Sequence, residues 1–277
     1  MIRGTTALIA HIGYPTDSFK SPMIYNPWFE KAGVDAVVVP MGCRAASYPA
    51  LLKSVFSLTN IRGALVTMPH KVATLALLDE ASTAVKVAGS CNAVRRAPDG
   101  RLQGELFDGE GFVRGVRRKG GRIEGARAFV AGCGGVGSAI AASLAAAGAA
   151  ALSLYDTRAP AATALAARLA QFHPALRLAT GGNDPSGHDL VVNATPMGMN
   201  ERDPMPVNVA RIDAGAFVGE VVMKQEMTAF LRAAQARGCR YQVGVDMLFE
   251  QIPAYLEFFG LPVATPEQLR AVARISY

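Results

Sequence analysis

Three polar residues at the edges of apolar runs have side chains suited to moving a proton or holding a hydroxyl group. Lys71 closes the sequence VTMPHK, Asn92 ends GSCN and Asp108 opens DGEG. A carboxylate can orient a lysine ammonium, and partial burial lowers the pKa of the amine towards neutral pH, where it exchanges protons readily. The residues alone leave two interpretations of Lys71 open: a proton-transfer group in a cleft, or an ordinary structural or surface residue.

A glycine-rich turn lies in the second half of the chain. The sequence VAGCGGVG places Gly132, Gly134 and Gly137 in the spacing G-x-G-x-x-G, after an apolar run and before an alanine-rich helical pattern. In that context the glycines permit a tight turn and a close approach of backbone to a pyrophosphate, which the helix N-terminus stabilises. The stretch predicts a dinucleotide-binding turn that includes Gly135 and Val136; the alternative is a plain glycine turn.

An acidic residue follows the glycine turn at the spacing expected of a ribose ligand. Asp156 comes after the next apolar run, about 20 residues beyond Gly137. A carboxylate there accepts hydrogen bonds from the adenosine ribose and repels a 2′-phosphate, which favours NAD over NADP. Arg158 lies close by and could bind a phosphate, so NADP remains the alternative cofactor.

The composition is typical of a globular chain long enough for two domains. The 277 residues are 51% hydrophobic and 18% charged. No apolar run approaches the ~20 residues that a membrane helix needs, so no membrane association is expected. The cysteines are scattered and the histidines lack metal-ligand spacing, which predicts reduced thiols, a cytoplasmic location and no metal site.

The net charge of +6 is modest for this length, and no nucleic-acid partner is expected. The basic residues form short groups without interleaved aromatic residues, such as RGVRRKGGR at 114–122. We interpret this stretch as a solvated face or linker and place a domain boundary at 114–125, where apolar periodicity is lacking.

Apolar runs alternate with helical patterns, which is typical of an α/β fold with crossover helices. The predicted strands include 6–13, 35–42, 63–68, 188–199 and 216–223, and the predicted helices include 21–33, 48–58, 71–82, 161–174 and 226–238. A hairpin is predicted over 90–108, around Pro98-Asp99-Gly100, and the C-terminal tail predicts two helices.

Six motifs occur in an order and approximate spacing that resembles shikimate/quinate dehydrogenases. They are VTMPHK (66–71), GSCNAV (89–94), FDGEGF (107–112), GCGGVG (132–137), NATPMGM (193–199) and GVDMLFEQ (244–251). The resemblance spans nearly the whole chain. It implies an α/β substrate-binding domain formed by 1–112 and 244–277, and a Rossmann-type NAD(P)-binding domain formed by 113–243. The C-terminal helices would return to the first domain.

The resemblance also implies roles for individual residues. By motif position, Lys71 and Asp108 form the catalytic pair, Asn92 and Gln251 contact ring hydroxyls, and Ser21 and Thr67 belong to the substrate pocket. Further cofactor contacts are implied at Thr195, Met197, Gly244 and Met247.

Three departures from the family pattern fall on substrate contacts. SFKSP places Phe19 where a first carboxylate-binding serine is usual and keeps Ser21 as the second, with Ser18 and Lys20 nearby. Phe107 precedes Asp108 where a threonine is usual, and Met223 replaces a tyrosine. Exchanging polar pocket walls for apolar ones costs most for a substrate whose polar atoms then go unpaired.

These features together predict an oxidoreductase. It would interconvert shikimate, or a close relative such as quinate, and its 3-dehydro ketone, as in aromatic amino acid biosynthesis. We expect NAD as cofactor, a small-molecule substrate, and a monomer or homodimer. Two alternatives stay open: a catalytically weak relative that binds or senses a nucleotide, and a dehydrogenase for an amino-bearing or less polar analogue of shikimate.

Overall fold

The computed structural model describes residues 2–276, which form two compact α/β units. Unit 1 comprises 2–86, 90–107 and 251–276, and unit 2 comprises 87–89 and 108–250. The C-terminal residues belong to unit 1, as the resemblance implied. The sequence places the boundaries after 112 and 243, whereas the compact units divide after 107 and 250.

Unit 1 is built on a mixed sheet of six strands in the order β2-β1-β3-β5-β6-β4. The strands are β1 (Ala7–Gly13), β2 (Ala36–Gly42), β3 (Ile61–Val66), β4 (Glu80–Ala81), β5 (Ala93–Arg96) and β6 (Leu102–Glu105). The helices that accompany them are α1 (Pro22–Ala32), α2 (Tyr48–Val55) and α3 (Thr83–Ala88). Strands β1, β2 and β3 are parallel, so their carboxyl ends lie along one edge of the sheet.

The free edge of β2 is covered by a side chain. The amide of Asn26 on α1 donates to the carbonyl of Val38 (3.1 Å) and accepts from the N–H of Val38 (2.8 Å). These are the groups that a further strand would use.

The predicted hairpin is confirmed, and the predicted helix at 71–82 is wrong. Strands β5 and β6 pair antiparallel around a turn in which Gly100 has φ +91°. Over 71–82 the chain forms a short 3₁₀ helix, Ala73–Leu77, and then β4. The N–H of Asp79 donates to the carbonyl of Leu102 (3.0 Å), so pairing with the hairpin outweighs the local helical pattern.

Unit 2 is built on a parallel sheet of six strands in the order β12-β11-β10-β7-β8-β9. The strands are β7 (Arg127–Ala131), β8 (Ala151–Tyr155), β9 (Arg177–Thr180), β10 (Leu190–Asn193), β11 (Phe217–Glu220) and β12 (Arg240–Gln242). Numbered along the unit, this is the doubly wound order 3-2-1-4-5-6, whose switch point lies between β7 and β10. Its helices are α4 (Asp108–Arg118), α5 (Gly135–Ala146), α6 (Ala159–Phe172) and α7 (Ala229–Ala236), and the chain ends with α8 (Gly244–Phe258) and α9 (Pro266–Arg270).

The stretch interpreted as a solvated face or linker is helical as far as Arg118, so it is not a linker, although its arginines are solvent-exposed. Helix α4 buries Phe112, Val113 and Val116 on one face and exposes its arginines on the other. Much of the buried face is glycine, which hides the apolar periodicity. A Cβ at Gly109 would lie 2.1 Å from the carbonyl oxygen of Ala139 on α5, so the two helices pack too closely for any side chain there.

Strands β9 and β12 were not predicted because they form the two edges of the unit 2 sheet. Their sequences, RLAT and RYQ, carry polar residues on partly exposed positions and lack the continuous apolar run of the central strands. Among residues 2–276, no helix combines the length and apolar character needed to cross a membrane.

Candidate functional site

The glycine turn of unit 2 lies at the switch point of its sheet, between β7 and α5. Gly132 follows β7 with φ +95°, and a Cβ there would lie 2.8 Å from the carbonyl carbon of Ala194, after β10. A Cβ at Gly137 would lie 1.8 Å from the carbonyl oxygen of Gly132. Both positions therefore exclude any side chain. A Cβ at Gly134 would meet no heavy atom within 4 Å, which leaves open space beside the N-terminus of α5.

The space beside Gly134 suits a pyrophosphate. The first N–H groups of a helix have no partners within the helix and carry partial positive charge. Gly135 and Val136 lie in the first turn of α5. The turn thus fits the phosphate portion of a dinucleotide.

Asp156 follows β8 and is joined to the glycine turn by hydrogen bonds. Its carboxylate accepts from the N–H of Cys133 (2.8 Å) and from the N–H of Arg158 (2.9 Å). The Asp156 side chain is 11% exposed, whereas that of Arg158 is 75% exposed with its Nε 3.6 Å from the carboxylate. A carboxylate has about four acceptor positions, so two remain for ribose hydroxyls.

The loop after β10 is held by the buried Asn193. Its side-chain oxygen accepts from the N–H (3.1 Å) and hydroxyl (2.6 Å) of Thr195, and its amide donates to the carbonyl of Met197 (3.0 Å). Since Gly132 packs against Ala194, this loop borders the glycine turn. Thr195 and Met197 therefore lie at the carboxyl edge of the sheet, where doubly wound folds bind ligands.

Helix α8 begins beside the segment that precedes α7. A Cβ at Gly244 would lie 2.0 Å from the carbonyl oxygen of Val222, and Met247 is 2% exposed. The glycine is thus explained by close packing. Met223, one of the three departures, is half-buried next to Val222.

In unit 1, Lys71 is buried in the turn that follows β3, and contacts of the neighbouring His70 hold this turn in place. Lys71 is 8% exposed. The preceding His70 stacks on Tyr48 at 4.0 Å and donates from Nε2 to the carbonyl of Cys43 (2.8 Å). Burial also lowers the pKa of His70 and keeps its ring neutral. The surface interpretation of Lys71 is therefore wrong, because nearly all of the residue is buried.

Asn92 lies next to Lys71. The N–H of Cys91 donates to the carbonyl of Lys71 (2.8 Å), and the carbonyl of Asn92 accepts from the N–H of Val66 (2.8 Å) and from the hydroxyl of Tyr255 (3.3 Å). The side-chain oxygen of Asn92 accepts from the N–H of Phe107 (3.0 Å). Its Nδ2 is buried and has no hydrogen-bond partner among residues 2–276.

Gln251 also belongs to this group. It lies one helical turn before Tyr255 on α8, on the same face. Its Oε1 is buried and, like Asn92 Nδ2, finds no hydrogen-bond partner in the described part of the chain. Buried polar groups without partners are rare in proteins, and a bound polar ligand would satisfy both atoms. Phe107 packs edge-on against Tyr255 (4.7 Å) and Phe258 (5.7 Å).

The remaining candidates are placed at helix N-termini. Ser21 stands at the N-cap of α1, where its carbonyl accepts from the N–H groups of Ile24 and Tyr25. Asp108 is the first residue of α4 and is 3% exposed, in unit 2, whereas Lys71 belongs to unit 1. The described residues bring together no group of three His, Cys, Asp or Glu side chains that could hold a metal.

Sequence reasoning passed over His11, which was treated as ordinary because it lacks metal-ligand spacing. His11 is 6% exposed and stacks on Phe19, with ring centroids 4.0 Å apart. Its position near the carboxyl end of β1, two residues before Gly13, was the available signal.

Comparisons with known proteins place these features in a family. Residues 11–94 match the family model of the shikimate dehydrogenase substrate binding domain. Shikimate dehydrogenase (NADP(+)) of Acidiphilium cryptum strain JF-5 is 32% identical over 275 residues, which cover 99% of this chain and 98% of that protein.

Two solved structures extend the similarity to the fold. Shikimate 5-dehydrogenase from Thermus thermophilus, in complex with NADP(H) and shikimate, has a TM-score of 0.86 at 26% identity and covers 97% of this chain and 99% of that one. Quinate dehydrogenase from Corynebacterium glutamicum, in complex with NAD, has a TM-score of 0.84 at 28% identity and covers 96% and 98%. With these relatives spanning nearly its full length, the chain belongs to the shikimate dehydrogenase family of oxidoreductases.

Proposed function

We propose that the protein is an NAD-dependent dehydrogenase that interconverts shikimate, or a closely related cyclic polyol carboxylate such as quinate, and its 3-dehydro ketone. The observation that supports this most is in unit 1: a buried lysine, Lys71, beside two buried side chains, Asn92 and Gln251, whose polar atoms lack partners among residues 2–276. Unit 1 would bind the substrate, and unit 2, with its glycine turn, would bind the dinucleotide.

The reaction needs a group that accepts the proton of the substrate alcohol. The glycine turn of unit 2 would hold the dinucleotide, whose nicotinamide would supply the acceptor for the hydride on the carbon that bears this alcohol. The Lys71 amine takes the hydroxyl proton in oxidation and returns it in reduction. Asp108 is proposed as the second member of the catalytic pair, and its negative charge at the start of α4 is stabilised by the helix. Asn92 donates from Nδ2, and Gln251 accepts at Oε1, to fix the ring hydroxyls.

The cofactor is proposed to be NAD, with NADP as the alternative. The A. cryptum relative is named for NADP(+), whereas the C. glutamicum quinate dehydrogenase structure contains NAD. In this chain Asp156 is held beside the glycine turn, where a carboxylate binds ribose hydroxyls and repels a 2′-phosphate. We assign Thr195, Met197, Gly244 and Met247 to the nicotinamide side of the same site.

The substrate preference is proposed to differ from that of relatives with polar residues at the three departures. Phe19 and Phe107 are buried aromatic residues in unit 1, and Met223 is half-buried in unit 2. An amino-bearing or less polar analogue of shikimate is therefore the second candidate substrate. A panel of shikimate, quinate and such analogues, each assayed with NAD and NADP, ranks these candidates directly.

The proposed proton transfer is tested by two substitutions in the full-length protein. Lys71→Ala and Asp108→Asn should each lower kcat at least about 100-fold while the unfolding transition and NAD binding are retained, since general acid–base catalysis contributes about 10²–10⁴-fold. Stopped assays of cofactor reduction measure the loss. Full activity in both variants contradicts the assigned roles.

A nucleotide-binding relative without efficient catalysis is the other candidate function. The three apolar departures favour it, because they remove polar contacts on which turnover would depend. Calorimetry that shows tight NAD binding, together with no turnover across the substrate panel, would replace the enzymatic proposal with this one.

A further inference from the structure

His11 is a buried polar side chain in unit 1 that the proposed reaction does not use. It lies on β1, is 6% exposed, and stacks on Phe19 at 4.0 Å with an interplanar angle of 23°. Its Nδ1 is buried and has no hydrogen-bond partner among residues 2–276. An imidazole nitrogen left unpaired in a protein interior lowers stability. A hydrogen bond from a bound ligand would offset that cost.

The surroundings of His11 connect it to the group around Lys71. Residues 11 and 13 lie on the same face of β1 because side chains alternate along a strand. A Cβ at Gly13 would lie 2.4 Å from Cγ2 of Thr67 and 2.9 Å from Cζ of Phe19. The side chains of Thr67 and Phe19 therefore occupy the space that a side chain at position 13 would need. After burial, the charge of Lys71 is the second cause that lowers the pKa of His11. His11 therefore lies in the same region as Thr67 and Lys71, at the carboxyl ends of β1 and β3.

The environment determines which ligand groups the imidazole can bind. Burial, and then the charge of Lys71, lower the pKa of His11 to about 3, so the ring is neutral at physiological pH. A neutral imidazole has one N–H donor and one acceptor nitrogen, which match a hydroxyl group.

We propose that His11 is a substrate-binding residue whose Nδ1 hydrogen-bonds a ring hydroxyl of the substrate beside the Phe19 ring. The inference rests on the proposed function, since it assigns one wall of the same site. It names ring polyols as the substrate class and gives His11 a part in selecting among them.

The kinetic test compares His11→Val and His11→Asn with a control, His173→Val, which changes a half-buried histidine at the end of α6. His11→Val should raise KM for the preferred ring polyol about 10–100-fold with kcat changed less than about threefold. His11→Asn, which keeps a donor and an acceptor, should recover part of the loss. The control should match the wild type, and NAD binding should be unchanged in all three.

Substrate analogues identify the group that His11 contacts. A series of analogues of the preferred substrate, each lacking one hydroxyl, should include one for which wild type and His11→Val have equal KM. In that analogue the hydroxyl that His11 would contact is already absent. If the difference in KM between wild type and His11→Val instead disappears when a carboxamide replaces the substrate carboxylate, then His11 binds the carboxylate and the proposal is wrong. Equal KM values for wild type and His11→Val on the complete substrate also overturn it.

Direct binding separates this inference from the proposed function. In ¹⁵N-histidine-labelled protein with saturating NAD, addition of shikimate or quinate should shift the His11 Nδ1 resonance. No turnover by the wild type would remove the proposed function, and the nitrogen resonance would still decide the role of His11. An unchanged Nδ1 resonance at saturating concentrations of every ring polyol in the panel overturns the inference, even if turnover is seen.

Discussion

Asp156 has a fixed position because it is hydrogen-bonded to the glycine turn. Its two bonds to the N–H groups of Cys133 and Arg158 hold the carboxylate in place, and the exposed Arg158 guanidinium lies close to it. We expect the competition between these two charges to set the cofactor preference. A carboxylate held in this way penalises a 2′-phosphate, and its removal leaves Arg158 to attract one.

Asp156→Ser should therefore shift the preference towards NADP. We expect the ratio of kcat/KM with NAD to that with NADP to fall about tenfold or more, because one charge repulsion is removed near a phosphate. Steady-state assays with both cofactors measure the ratio. Asp184→Ser, which removes an exposed carboxylate paired with Arg211 at 2.6 Å, serves as the control. A ratio that stays at the wild-type value would mean that another residue governs the choice.

At the residue scale, sequence reasoning found the residues that occur in motifs and missed those identified only by their surroundings. Lys71, Asn92 and Gln251 were named in advance from the motifs, and all three are buried in unit 1. His11 and Glu220 belong to no recognised motif. Each is exceptional because of burial and missing partners, which depend on side chains far apart in the sequence.

Glu220 shows what such burial does to a carboxyl group. It ends β11, is fully buried, and has one carboxyl oxygen without a hydrogen-bond partner in the described chain. Burial raises the pKa of Glu220 to about 7, and hydrogen bonds from Thr228 and Asn193 oppose the rise. The folded protein thus holds this proton to higher pH than the unfolded chain does.

Glu220→Gln tests this with a definite sign. Between the unfolded pKa of 4.5 and about 7, the folded wild type binds more protons than the unfolded state, so its stability falls as pH rises. The free energy of unfolding of the wild type, relative to the variant, should decline by about 1.4 kcal/mol per pH unit at most across this window. Urea denaturation at pH 5 and pH 8 measures it. The control Glu226→Gln, which changes an exposed carboxyl group, should show the same dependence of unfolding free energy on pH as the wild type. The same dependence in Glu220→Gln would contradict the raised pKa of Glu220.

At the element scale, α4 explains why a helix was mistaken for a linker. Its contact with α5 depends on small residues, and glycine contributes nothing to an apolar pattern while it lowers helix propensity. The basic residues that suggested a solvated linker are on the exposed face, where Arg118 and Lys119 pair with Glu250 and Asp246 of α8. The central strands of both sheets were predictable because a short, continuous apolar run is typical of a strand that is buried on both faces.

Gly109→Ala should destabilise unit 2 although alanine favours helix. The added methyl group would lie 2.1 Å from the carbonyl oxygen of Ala139 and 2.4 Å from Oγ of Ser143, so α4 and α5 must move apart. We expect a net loss of about 1–3 kcal/mol, since overpacking outweighs a propensity gain of about 1 kcal/mol. Gly215→Ala, where a Cβ meets no heavy atom within 4 Å, is the matched control. Equal urea midpoints for the two variants would show that the helices are not closely packed.

At the scale of the whole molecule, an α/β fold in two domains was expected from the alternating elements and the glycine turn, and the family resemblance implied that the C-terminal helices return to unit 1. The strand order itself could not be read from the sequence, since pairing joins residues far apart along the chain. The short β4 illustrates this, because its two residues pair in parallel with β6 and carry no apolar run.

The edge of β2 bears on whether copies of the protein associate. Asn26→Ala should expose the N–H and carbonyl of Val38 and increase self-association, because unpaired edge groups recruit further strands. Sedimentation velocity over a wide range of concentration measures the effect. Asn60→Ala, which loses an amide hydrogen bond to the carbonyl of Thr6 away from this edge, should behave as the wild type. Identical sedimentation of all three proteins would rule out a role for Asn26 in guarding the edge.

The Asn26 amide thus occupies the N–H and carbonyl of Val38, so a strand from another molecule cannot pair with β2 at that residue. A dimer that extended the unit 1 sheet across β2 would first have to displace this amide, whereas a dimer built from side-chain surfaces would leave that sheet at its six strands.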